Sequence, residues 1–333
     1  MIDLPRSADV VIIGGGVHGA SLAYHLARKR AGRVVLLEKK FLASGPSGVG
    51  AAIVRRFYGM DFFTRTSSAA ADIFQHWADV IGGGDPGFRQ VGYMVLVRPH
   101  EAQDLKRNVL RAQELGARVT LVSQSDLAAL VPSMRVDDVV VASYEQESGY
   151  ANPFATTNAL ASRARELGAL VVHPIMVERI LSRDGQITGV RTSSGPIDAP
   201  VVVNCAGLYA GRLLRPLDIE IEIKPTRHQV CFLRRPPEFG DHPAVVDRLN
   251  EAYMRPAAEG LTLHGVASYD QVVDADDYDE GADSTEIRRN AKLIARRFPV
   301  MAAAASWGGY AGLYDVTPDQ QPVLGAISPH KGL

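Results

Sequence analysis

The sequence predicts an α/β fold joined to an α+β unit, and three observations carry that expectation. Val10 to Ile13 is a short apolar, β-branched run that stops at Gly14, Gly15 and Gly16, the pattern of a strand buried on both faces and ended by a tight turn. Val17 to Lys29 then sets Leu22, Ala23, Leu26 and Ala27 at helical spacing, with basic residues in its last turn where the helix dipole favours them. Arg33 to Leu37 is a second apolar run, and it ends in Glu38.

The glycines Gly14, Gly16 and Gly19 complete the pattern G-x-G-x-x-G between strand and helix. The first permits the turn, the second lets a pyrophosphate approach the backbone, and the third lets helix pack on strand, while the helix N-terminus attracts the phosphates. Glu38 stands where an acid accepts hydrogen bonds from a ribose hydroxyl, which disfavours a 2′-phosphorylated ligand. A dinucleotide-binding βαβ unit follows, without a choice between NAD and FAD.

The 333 residues suffice for one large or two medium domains, and 46% hydrophobic content can fill their cores. Lysine plus arginine number 36 against 37 acids, a net charge of -1, so no bulk field draws nucleic acid or an anionic membrane. Cys205 and Cys231 lie in apolar runs and read as structural thiols, with no metal-ligand spacing. The N-terminal MIDLPRSAD is charged, and no run approaches the roughly 18 apolar residues of a membrane span. A soluble, cytoplasmic protein is expected.

Along the chain, Phe41 to Gly50 is a Gly, Pro and Ser loop next to the ribose acid, where Ser44, Ser47 and nearby Arg55 and Arg56 can meet a ligand. Thr64 to Val80 reads as a helix, Val91 to Val97 as a strand, and Glu101 to Leu115 as an amphipathic helix stopping at Gly116. Ser125 and Asp126 start a short helix before Pro132, Val139 to Ser143 is a strand, and Gly149 to Asn152 turns the chain. Pro153 opens the helix Phe154 to Leu167 before the strand Leu170 to His173. Val177 to Leu181 and Ile187 to Arg191 make a hairpin about Asp184-Gly185. Val201 to Val203 is a buried strand running into Asn204-Cys205-Ala206-Gly207, small residues suited to a backbone that meets ligand. Ile219 to Leu233 and Ala252 to Val266 read as long strands of a second sheet. Ser284 caps a helix to Phe298 whose Arg288, Arg289, Arg296 and Arg297 read as a solvated face. Residues 306 to 333 promise no long element.

The order of these motifs resembles the FAD-dependent amine and amino-acid oxidoreductases of the D-amino-acid oxidase superfamily, which includes sarcosine and glycine oxidases. VVIIGGGVHGASLAYHLA with Glu38, SGPSGVGAAIVRR, SGYANPFATTNALASRARELGA through VVVNCAGLYAG, and AGLYDVTPDQQPVLG carry the likeness, spanning nearly the whole chain. The resemblance implies a Rossmann-type FAD-binding domain made of residues 1 to 90, 148 to 215 and 300 to 333. Residues 91 to 147 and 216 to 299 would form the substrate-binding domain on a mixed or antiparallel sheet. Besides the three glycines and Glu38, it implies cofactor contacts at Lys39, Ser44, Ser47 and Gly48, places Val177 beside the adenine, and puts Ala206 and Gly207 near the phosphates. Tyr253, Arg255, His228 and Tyr314, with Arg227, are the candidates over the flavin ring.

Departures from the family pattern refine these expectations. Gly312 stands where monomeric sarcosine oxidases carry the cysteine that bonds FAD, implying noncovalent FAD. Thr262 stands where they carry a lysine tied to oxygen activation, implying a dehydrogenase whose acceptor is a quinone or another flavoprotein rather than oxygen. Tyr314 lies near the arginine that binds substrate carboxylate in glycine and D-amino-acid oxidases. Family members continue past LGAISPHKGL with a strand, a turn and a helix, so the end of the family fold is expected to be missing here or supplied by a partner subunit. The activity implied is oxidation of a C–N bond in a secondary or cyclic amino acid or related amine. A noncatalytic flavin-fold subunit or assembly factor is the alternative, and an NAD-dependent dehydrogenase leaves the later motifs without a reason to exist.

A Cβ at Gly14 strains the turn and blocks the pyrophosphate. Gly14→Val is therefore expected to purify colourless, and a fully flavinated variant would show that the turn does not hold the dinucleotide.

Overall fold

The computed structural model describes residues 4–266 and 269–333. Its centre is a four-stranded parallel sheet in the order Val201–Asn204, Val10–Ile13, Val34–Leu37, Leu170–Val172. Alternation along the first strand divides the core: Val10 and Ile12 pack with Ala20, Ala23 and Tyr24 of the helix Val17–Arg28 and with Leu160 and Ala164 of the helix Pro153–Glu166. Val11 and Ile13 pack instead on Ile180, Val190 and Ile197 of a three-stranded antiparallel sheet. That smaller sheet contains the expected hairpin, Val177–Arg183 with Gln186–Thr192, whose turn residues Asp184 and Gly185 both take left-handed φ, 51° and 73°, as a two-residue hairpin loop requires.

An eight-stranded mixed sheet forms the second unit, in the order Ala305–Val316, Lys224–Arg234, Leu261–Val266, Ala252–Ala257, Ala244–Asp247, Tyr93–Leu96, Val141–Glu145, Thr120–Ser123. Only the Ala244–Asp247 pairing with Tyr93–Leu96 is parallel. The helix Ser284–Arg297 covers one face through Ile294 and Phe298, and the helix Ala102–Glu114 covers the other through Leu105 and Val109. A small sheet of Ile53–Val54, Gly149–Tyr150 and Arg89–Gln90 links the two units.

Several expectations are corrected. The span Ala252 to Val266 is a hairpin, not one strand: Glu259 and Gly260 take φ of 58° and 69° and reverse the chain. The strand expected from Ile219 starts only at Lys224. Residues after 305 do form a long element, the twelve-residue strand Ala305–Val316, and it pairs along Lys224–Arg234. The expected unit boundary at residue 300 therefore falls where no change of sheet occurs. Thr120–Ser123 is a strand in which only Val122 is buried, a weak signal, and the helix expected from Thr64 begins at Asp61 and breaks at His76. Asp283, not Ser284, occupies the cap of the last helix, and Ser123 caps the short helix Gln124–Leu130.

Arg297 is no part of a solvated face. It is 1% exposed and donates to Asp247, itself 1% exposed, at 2.8 Å, and to Asp138 at 2.7 Å. Removing one member of a buried pair leaves the other uncompensated, at a cost of about 3–5 kcal/mol. Arg297→Ala is therefore expected to lower the unfolding free energy from urea melts by that amount, whereas Arg288→Ala should change it by no more than about 0.5 kcal/mol; equal effects would refute the burial argument.

Candidate active site

A cleft of about 1770 Å³ runs from the glycine turn to the eight-stranded sheet, well beyond the roughly 300–1,000 Å³ of a drug-sized pocket. At one end lies the turn after Val10–Ile13. Gly14 has φ +107°, and a Cβ there would sit 2.3 Å from the Cys205 carbonyl oxygen. A Cβ on Gly19 would lie 1.9 Å from the Gly14 oxygen, so the third glycine serves helix packing and does not line the cleft. Gly16 caps the helix with no side-chain acceptor, and Ser47 Oγ accepts from the Val17 N–H at 3.1 Å, which marks the helix terminus as an anion-seeking end.

Glu38 is 8% exposed and lines the cleft. Its carboxylate accepts from the Gly15 N–H at 2.7 Å, the Lys40 N–H at 2.8 Å and the Ser44 hydroxyl at 3.3 Å. These bonds fix the carboxylate in place at the cleft wall. The middle glycine, Gly15, belongs to this arrangement although the spacing rule ignores it: a Cβ there would lie 2.8 Å from Glu38 Cβ.

Lys39, Ser44, Ser47, Val177, Ala206 and Gly207 also line the cleft. Gly48 does not; its missing Cβ makes room for the Ala43 carbonyl and the Phe154 ring. Lys39 Nζ lies 3.1 Å from the centroid of Tyr209, whose hydroxyl donates to Asp276 at 2.8 Å. Burial and the Asp276 carboxylate push the Tyr209 phenol up to about 12. Tyr209 belongs to the run VVVNCAGLYAG, but its pairing with Asp276 is not legible in the sequence because the two residues are distant along the chain.

At the other end, His228, Tyr253 and Tyr314 meet. His228 Nε2 is 2.6 Å from the Tyr253 hydroxyl, and the rings of His228 and Tyr314 are 4.5 Å apart. Tyr310 and Tyr269 complete this wall. The signal for Tyr310 is the alternation Tyr310, Gly312, Tyr314 along one strand, hidden because no strand is expected there.

Burial drives the His228 imidazole down to about 4 and the Tyr314 phenol up to about 12, and it holds Tyr253 well above the usual phenol range. The three groups are therefore neutral hydrogen-bonding partners near pH 7.

The arginine candidates and Thr262 lie elsewhere. Arg227 is bound to the carbonyls of Asp279 and Gly281 and to Asp283. Arg255 donates Nε to the Ala51 carbonyl and Nη1 to the Pro256 carbonyl and stacks on Tyr150; neither arginine lines the cleft. Arg55 donates to the Tyr93 hydroxyl at 2.6 Å and lies over Tyr58, and Arg56 pairs with Asp72. Thr262 is fully buried and turns to His242 Nε2 at 2.9 Å, so its neutrality says nothing about oxygen. Gly312 lines the cleft and faces Val49. Both cysteines are free; Cys231 is buried, whereas Cys205 is half-buried on the cleft wall.

A glycine turn at a helix terminus with a buried, anchored acid beside it, facing an aromatic wall on a second sheet, is the arrangement of a dinucleotide-binding fold. The residues fit FAD, and the chain belongs to the FAD-dependent oxidoreductase family, whose model, DAO, matches residues 9–333. Mitochondrial sarcosine dehydrogenase of Homo sapiens is 26% identical over 349 residues, covering 99% of this chain and 37% of that protein. Dimethylglycine dehydrogenase of Rattus norvegicus is 25% identical, covering 98% and 40%, so the chain spans about two fifths of these relatives. Peroxisomal sarcosine oxidase of Homo sapiens is 31% identical over 229 residues, covering 68% and 57%. Among solved structures, L-proline dehydrogenase from P. horikoshii superposes with a TM-score of 0.89 at 26% identity, covering 99% and 87% of the two chains. Glycine oxidase from Geobacillus kaustophilus shares the fold at 23% identity, with a TM-score of 0.84 and coverage of 98% and 88%. No described helix is long and apolar enough to cross a membrane.

His242 and His264 are also buried and driven down, to about 3 and about 4. With His228 they stay neutral in the folded protein while the unfolded chain takes up protons below about 6.5. Stability is full above that pH and is lost as pH falls from 6.5 toward 4, by about 1.4 kcal/mol per pH unit for each histidine. Thermal melts should drop steeply across this window, and His242→Phe should flatten the slope; a slope unchanged by that substitution would contradict the assignment.

Proposed function

We propose that this protein oxidises the C–N bond of a secondary or cyclic amino acid, or a related amine, to an imine, with noncovalently held FAD. The observation that carries the reading is the neutral Tyr253, His228 and Tyr314 cluster opening on the same cleft as the glycine turn. The relatives and structural neighbours are named for sarcosine, dimethylglycine, proline and glycine, all small amino acids, which supports the substrate class.

When bound, FAD supplies the acceptor for the hydride leaving the substrate carbon. Gly14, Gly16 and the helix terminus hold the pyrophosphate, Glu38 the ribose, and Val177 the adenine, with Ala206 and Gly207 against the phosphates and Ser44 and Ser47 closing the loop. The phenols of Tyr253 and Tyr314 keep their protons and donate to substrate, while the ring faces attract an ammonium group. Burial in this wall favours the neutral amine, the form that can be oxidised. Gly312 in place of a thiol supports noncovalent attachment. Segments 1–90 and 148–215 would carry the cofactor, and 91–147 with 216–299 and the strand Ala305–Val316 the substrate. The electrons pass on to oxygen, a quinone or another flavoprotein.

Anaerobic titration with N-methyl and cyclic amino acids is expected to bleach the flavin absorbance, and acid denaturation to release FAD free of the chain. Tyr253→Phe should raise KM about fivefold, the worth of one hydrogen bond of roughly 1 kcal/mol. No bleaching by any member of the panel would overturn the reading, and flavin that stays with the denatured chain would overturn noncovalent attachment.

A further inference from the structure

Four arginines are buried among the described residues, Arg56, Arg227, Arg255 and Arg297. Three meet a carboxylate: Arg56 with Asp72 at 2.8 Å, Arg227 with Asp283 at 3.2 Å, and Arg297 with Asp247 at 2.8 Å. Arg255, 8% exposed, meets none among the described residues; its partners are the carbonyls of Ala51 and Pro256 and the face of Tyr150, at 4.5 Å. A buried guanidinium without a counter-ion is costly to keep, and burial pulls its pKa down without removing the charge.

The surroundings show where that charge acts. Ala51 lines the cleft, as does Tyr253, two residues before Arg255 on the same strand face. The same turn is held by the Tyr310 hydroxyl on the Val49 carbonyl at 2.8 Å and by the Ala151 N–H on the Ala52 carbonyl at 2.9 Å, with Ala52 at a left-handed φ of 50°. A non-glycine residue held there marks a turn fixed by its surroundings. Arg255 thus stands one layer behind the wall formed by Val49, Ala51, Tyr253 and Tyr310. Two of its donors are committed to backbone, and its field crosses a dry interior with little screening.

We propose that Arg255 is a positioning residue that fixes the Val49–Ala52 wall and makes it electropositive, so that negative charge gained by the bound flavin is stabilised. The inference rests on the FAD of the family and not on the substrate, so it stands or falls apart from the proposed reaction.

The test uses the FAD-loaded protein without substrate. Sulfite, which donates a lone pair to oxidised flavin and leaves an anionic adduct, is titrated by loss of flavin absorbance, and the two-electron midpoint potential is measured alongside. Arg255→Gln is expected to weaken sulfite binding by about tenfold or more and to lower the potential by about 30 mV, the same tenfold for two electrons. Arg255→Lys keeps the charge and should stay within roughly threefold of the parent, because the Coulomb energy depends on charge and distance. An Arg255→Gln protein with parental sulfite affinity and potential overturns the proposal. So does an Arg255→Lys protein that falls as far as the glutamine variant, and that second arm decides the matter if the glutamine variant does not fold.

Discussion

The approach of three backbones at Gly14 is the constraint on which the rest depends. The Cys205 carbonyl occupies the space where a Cβ of residue 14 would stand, and the Gly14 carbonyl occupies that of residue 19. Strand, helix and the end of Val201–Asn204 can therefore converge on one point. That convergence sets the helix terminus at the bottom of the cleft, where Ser47 Oγ meets the Val17 N–H, and it sets Glu38, at the end of the neighbouring strand, beside it.

The opposite wall obeys a different rule. There the chain places phenols and an imidazole where burial suppresses ionisation, so that hydrogen-bonding capacity is kept without formal charge. Charges that the sheet does bury are mostly paired at a distance from the cleft, as in Arg297 with Asp247 and Arg227 with Asp283. Apart from Arg255, the chemistry of the cleft is thus separated from the ion pairs that hold the second unit together.

What could be read from the sequence follows from how local each signal is. Gly14, Gly16, Gly19 and Glu38 were legible because strand, turn, helix and strand are consecutive, and the Asp184-Gly185 hairpin because its turn residues specify left-handed φ. The strand Ala305–Val316 was not, since its glycines mimic loop composition and its partner, Lys224–Arg234, is far away in the chain. The arginines were misplaced for a related reason. Residue type identifies a carboxylate binder, but only the packed structure shows that Arg227 and Arg255 turn donors to main-chain carbonyls outside the cleft. Thr262 shows the same failure, as one side of a strand cannot be told from the other without the sheet.

The cleft draws its walls from at least six separated stretches, from Ile13 to Leu333, and this has a bearing on how the protein is made. No early piece of the chain can bind the cofactor, so affinity appears only when both sheets are in place. A ligand that recognises the finished form alone adds RT ln(1 + [L]/Kd) to its stability, about 2.7 kcal/mol at a hundredfold excess over Kd. Flavin supply thereby becomes a determinant of how much of this protein a cell retains, with unloaded copies the first to reach the proteases.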